Sequence, residues 1–105
     1  LGPGLLESDF EKALCYQLQK DGLSVQRQVK LDVVYDGHVL PSEFRLDLLV
    51  ENQVIVELKS VSEMKEVYKK QLLTYLRISH KKLGILVNFT TVNLRDSIFR
   101  VVNHL

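Results

Sequence analysis

Two short apolar stretches, residues 44–50 and 54–59, constrain this chain more than anything else in it, because only one antiparallel register suits them both. Setting Val50 against Val54 places Leu48 against Val56 and Leu46 against Leu58, which builds one wholly apolar face. A slip of one residue sets Leu46 beside Glu57 and spoils that face, because strand side chains alternate with a period of two. The preferred register puts Asp47 directly across from Glu57 on the opposite face, together with Leu49, Ile55 and Lys59. Like charges opposed across a strand pair repel. A divalent cation held between them turns that repulsion into a binding site. The plain alternative is a solvated outer face on which Arg45 and Lys59 balance the acids, although Leu49 and Ile55 argue that this face is covered.

The periodicities on either side supply the rest of the architecture. Residues 4–20 read as a helix, with Phe10, Leu14 and Leu18 on one stripe flanked by Leu6 and Ala13, Pro3 at its start and Asp21-Gly22 as a stop. Alternation takes over across residues 23–35, and Asp36-Gly37 reads as a hairpin turn leading into a long strand over 38–50 and another over 53–59. Ser60 and Glu63 have capping-box spacing and predict a second helix through Ser79, with Met64, Val67, Tyr68, Leu72, Tyr75 and Leu76 as its inner stripe. Residues 83–89, around Ile85-Leu86-Val87, read as a fully buried strand, whereas 94–105 fits strand and helix equally. Helix, three strands, helix and strand (αβββαβ) imply an α/β fold, a mixed sheet flanked by helices.

Two further polar residues fall where apolar ones belong. Glu7 lies in line with Phe10, Leu14 and Leu18 on the first helix, so its carboxylate is aimed at the sheet, unless it is merely a first-turn acid favoured by the helix dipole. Gln71 shares the inner stripe of the second helix with Tyr75, which aims a primary amide inward; a satisfied core glutamine reads the same way.

Other features exclude more than they assign. A chain of 105 residues is read as one domain over 1–105, and its 46% hydrophobic and 26% charged residues are ordinary soluble composition. No apolar run approaches the roughly 18 residues of a membrane span. No secretory leader is evident, and a start at Leu1 rather than Met leaves room for a preceding segment. Cys15 alone permits no internal disulfide, suits a reducing, cytoplasmic setting and reads as a packed small hydrophobe. His38, His80 and His104 share no ligand spacing, so zinc is not indicated, and neither a Ser/His/Asp set nor a Gly-rich phosphate loop is present. Asn88-Phe89-Thr90 matches a glycosylation sequon by chance within a buried strand. A net charge of +1 is a weak footprint for nucleic acid, although Lys65, Lys69, Lys70, Arg77, Lys81 and Lys82 form either a basic track or a solvated helix face.

Paired carboxylates with a lysine two residues on suit phosphodiester hydrolysis. Mg²⁺ prefers oxygen ligands, keeps several waters and needs only one or two carboxylates from a rigid sheet. Lys59 shares the Glu57 face and can orient a water or offset developing charge. Asp47 followed by Glu57-Leu58-Lys59 resembles the D…ExK signature of PD-(D/E)XK nucleases. Gln71-Leu72-Leu73-Thr74-Tyr75 is similar to the QxxxY motif of the branch with RecB-type nuclease domains, and Gly4-Leu5-Leu6-Glu7-Ser8-Asp9-Phe10 resembles the motif of the small GxxExxY proteins. The likeness extends through Leu83-Gly84 to Asn88-Phe89 and covers nearly the whole chain. It implies a restriction-endonuclease-like core and a Mg²⁺- or Mn²⁺-dependent nuclease acting on DNA. Glu7, Asp47, Glu57 and the Leu58 carbonyl are then the metal ligands, Asp47, Glu57 and Lys59 the catalytic residues, and Gln71 and Tyr75 supports of the site or DNA contacts. Phe10 stands where the motif has tyrosine and Ser97 where the family usually has glycine, while the proline before the aspartate and the helix before the first motif are lacking. The competing expectation is a non-catalytic module of the same fold that binds nucleic acid or protein. In either case so short a chain favours a homodimer or a protein partner.

Overall fold

In the computed structural model, which describes residues 6–90 and 97–104, the alternating segments gather into one five-stranded sheet with a helix on each face. Along the chain run α1 (Glu7–Lys20), β1 (Val25–Lys30), β2 (Val33–Tyr35), β3 (His38–Leu40), β4 (Arg45–Val50), β5 (Val54–Lys59), α2 (Glu66–Ser79), β6 (Leu83–Asn88) and β7 (Ile98–Val102). The sheet order is β1-β4-β5-β6-β7, antiparallel throughout except for the β5–β6 pair joined by the α2 crossover. The segment after residue 94, open between strand and helix, thus supplies the edge strand β7; Leu94 itself and the expected start of α1 at Gly4 lie outside the described residues.

One core cluster lies under each helix. Cys15 is buried with Leu48, Val50, Val56, Leu58 and Phe89 on the α1 side, where Phe10, Leu14 and Leu18 also pack. Leu72, Tyr75 and Leu76 bury Leu49, Ile55 and Leu86 on the α2 side. Close approach of α2 to β6 depends on Gly84, where an added Cβ would sit 2.8 Å from the Leu72 side chain.

Three expectations need correction. The runs over 23–35 and 38–50 are not continuous strands: each breaks, and their distal halves form a separate two-stranded hairpin, β2–β3. Pro41, which has no N–H to donate, marks the return break, and Leu31 N–H reaches across to the Phe44 carbonyl (2.9 Å) at its base. The Asp36-Gly37 turn is as expected, a two-residue loop between paired Tyr35 and His38 with both turn residues at positive φ (50° and 75°). Second, α2 starts at Glu66 and not at the Ser60 capping box. The side chain of Asn88 holds both backbone groups of Val61, accepting from its N–H (3.3 Å) and donating to its carbonyl (2.9 Å), so the chain leaving β5 cannot turn into a helix there. Third, Val67 of the expected inner stripe is 60% exposed. Asn88 is itself buried and the Thr90 hydroxyl is engaged with it and with Val61, which fits a chance sequon.

Candidate active site

The β4–β5 pairing has the register expected from the apolar face, Val50 with Val54 and Leu48 with Val56. Beyond Leu48–Val56 the ladder stops and carboxylates take over its donors. Leu58 N–H donates to Asp47 Oδ2 (2.8 Å), and Asp47 N–H to Glu57 Oε2 (3.4 Å). On the other side, β1 and β4 pair at every position from Val25 to Lys30 except Gln28, whose φ is +53°. Asp47 therefore occupies a gap between strands on both sides. Where the strands part, Leu46 leaves the expected α1-side face and packs with Leu49 and Ile55 instead.

Glu57 is the buried member of the pair. Loss of solvent pushes its carboxyl up to about 9, with the Asp47 carboxylate, which it hydrogen-bonds, as the next cause; the Asp47 N–H and Lys59 act weakly the other way. Its Oε1 is buried with no hydrogen-bond partner among the described residues. Glu7 is exposed as a residue, not buried against the sheet, yet its carboxyl lies within hydrogen-bonding reach of Asp47. Desolvation and the Asp47 charge raise its pKa, while Lys59 draws it down. Lys59 Nζ is held by Gln71 Oε1 (3.4 Å) and stands 5.2 Å above the Tyr68 ring. Gln71 is thus not the buried inward amide expected, but an exposed residue that orients the lysine. Tyr75 is buried against Phe44, and burial, then the charges of Glu57 and Asp47, raise its phenol pKa. Glu7, Asp47, Glu57, Lys59, Gln71 and Tyr75 are accordingly brought together from α1, β4, β5 and α2, while His38, His80 and His104 remain exposed elsewhere.

Two participants are not evident from the sequence motifs. Glu11 is 3% exposed and takes donors on both oxygens, Arg27 Nε (3.2 Å) and Gln28 Nε2 (2.8 Å). The same Gln28 amide reaches Asp47 Oδ1 (3.4 Å). Glu11 thereby anchors Gln28, and Gln28 steadies Asp47. The signal for Glu11 was its place one turn after Glu7 on the same helix face; nothing local marks Gln28. The missing tyrosine hydroxyl at Phe10 is replaced by packing, with the ring stacked 4.9 Å from Phe89.

A divalent cation suits this donor set. The orphaned Glu57 Oε1 is a buried oxygen in need of a positive partner, and Asp47 and Glu57 oppose each other at the strand gap. Among the described residues no three His, Cys, Asp or Glu side chains form a ready-made metal cluster, so the protein offers a pair of carboxylates rather than a closed cage.

A family model for the PD-(D/E)XK nuclease superfamily matches residues 1–101. The chain belongs to this superfamily. This PD-(D/E)XK chain also resembles the crystal structure of SSO0001, with a TM-score of 0.67 at 21% identity over 93% of its length. That likeness shows the fold, a restriction-endonuclease-like core, and the chain spans 50% of the SSO0001 chain. No curated protein matches it.

Proposed function

We propose that this PD-(D/E)XK chain is a divalent-metal-dependent nuclease that hydrolyses DNA phosphodiester bonds, of the GxxExxY kind, with Asp47, Glu57 and Lys59 as its catalytic residues. The observation that carries this reading is the orphaned, buried Glu57 Oε1 beside Asp47, with Lys59 two residues further on the same strand face. Asp47 and Glu57, with Glu7 and the Leu58 carbonyl, would hold Mg²⁺ or Mn²⁺. When bound, such an ion supplies an activated water and neutralises phosphate charge.

The chain's own residues then divide the remaining work. Lys59, kept in place by Gln71 and Tyr68, presents a cation that orients the attacking water and offsets charge on the transferring phosphate. The Leu58 N–H and Gln28 hold the two oxygens of Asp47, and Tyr75 closes the α2 side of the site.

A second reading is a non-catalytic module of the same fold that binds nucleic acid or protein. Incubating purified protein with end-labelled single-stranded and duplex DNA in Mg²⁺ or Mn²⁺ separates the two. Cleavage that disappears in EDTA and falls at least 100-fold in Lys59→Ala is the expected result. Intact DNA together with no Mn²⁺ affinity would leave the binding module as the better account.

A further inference from the structure

Between Lys65 and Lys82 lie six of the chain's fourteen basic residues but only one of its thirteen acidic ones, Glu66. The rest of the chain holds eight basic against twelve acidic residues, so a net charge of +1 conceals a strong polarity. Lys70 and Arg77 are exposed and sit two turns apart, about 10.5 Å along α2. Among the described residues Lys69 is the one member of the six in an ion pair, with Glu66 at 3.4 Å.

The track ends in a cleft. A concavity of about 440 Å³ opens where the β4–β5 turn meets the loop after α2, lined by Asn52, Gln53, His80, Lys81 and Lys82 above Val54. Its cations stand on fixed backbone. The buried Asn103 donates from its side chain to the Lys81 carbonyl (3.1 Å) and from its N–H to the Lys82 carbonyl (2.8 Å), and Lys81 N–H returns to Leu76 (2.9 Å). The α2 C-terminal cap and the end of the β6–β7 ladder supply these bonds, so both lysines are presented to the concave, amide-lined pocket from an ordered loop.

We propose that the outer face of α2 and the cleft at its C-terminal end bind the phosphate backbone of a nucleic-acid strand, independently of base sequence. Charge complementarity selects the ligand, because a polyanion of regular spacing is what a one-sided row of cations fits. The cleft adjoins Val54, and Glu57 stands three residues further along β5, so roughly 10 Å of strand separates the cleft from the carboxylates. The surface is therefore a second contact that holds the strand away from the bond being cut. The choice of nucleic acid rests on the nuclease reading.

The test is fluorescence anisotropy of a fluorescein-labelled dT₂₀ oligonucleotide in EDTA at 50–200 mM NaCl, comparing wild type, Lys81→Gln/Lys82→Gln, Arg77→Gln and the control Lys12→Gln/Lys20→Gln on α1. The cleft double variant should weaken binding about 10-fold and lower the salt slope by roughly 1.4, whereas the control retains wild-type affinity. Equal losses in cleft and control variants would mean that only total charge matters and would overturn the proposal. So would an oligonucleotide that fails to bind wild type at 50 mM salt. Binding in EDTA is independent of cleavage, so either failure leaves the Asp47–Glu57–Lys59 centre to be judged on its own metal affinity and activity.

Discussion

Replacing Glu57 by Gln should stabilise the metal-free protein, and increasingly so as pH rises. In the fold Glu57 keeps its proton up to about 9, whereas in the unfolded chain it loses it near 4.5. Below 4.5 both states are protonated and the group contributes no penalty. Above that, the unfolded state is favoured by about 1.4 kcal/mol per pH unit until the native carboxyl also ionises. At pH 7 the full cost would be about 3.4 kcal/mol, and coupling to Asp47 together with local relaxation reduces it to about 2 kcal/mol. Gln mimics the protonated acid: its amide can donate towards Asp47 as the Glu57 proton does, and its oxygen can accept from Asp47 N–H. Urea unfolding followed by circular dichroism in EDTA at pH 5, 6, 7 and 8 measures this. The variants should nearly coincide at pH 5, and Glu57→Gln should gain about 2 kcal/mol by pH 7, near 8 °C in Tm for a domain of this size. A Gln variant no more stable than wild type at pH 8, or a difference that does not grow with pH, would refute a protonated, desolvated Glu57.

Other perturbations follow from the same contacts. Mn²⁺ at about 100 times its Kd should stabilise the wild type by about 2.7 kcal/mol in thermal melts; Asp47→Ala should abolish the gain, and Gln28→Leu should weaken Mn²⁺ binding about 10-fold, since Gln28 fixes one Asp47 oxygen. Gly84→Ala should destabilise by about 2 kcal/mol in urea titration, because its Cβ meets a fully buried Leu72 at 2.8 Å. Asn88→Ala should cost about 1–2 kcal/mol in the same assay, since it strands the Val61 N–H at the β5–α2 connection while the Thr90 hydroxyl still reaches the Val61 carbonyl.

What could be read from the sequence was whatever depends on spacing along one segment. The β4–β5 register follows from Leu48, Val50, Val54 and Val56, because burial of one face penalises every slip, and it brings Asp47 beside Glu57 where the ladder ends. The Asp36-Gly37 turn and the helical stripes of α1 and α2 are local in the same sense. Tertiary structure alone decided the rest, since those outcomes depend on partners brought together by folding. Asn88, 27 residues beyond Val61, sets where α2 can begin. Carboxylates take over strand donors at Leu58 and Asp47, which parts the sheet and sends Leu46 to the other core. Gln28 joins Glu11 to Asp47 across intervals of 17 and 19 residues. A periodic pattern records which way a side chain faces within its own element. Which donor it meets there is a property of the packed chain, and at this site those meetings position every group the chemistry would use.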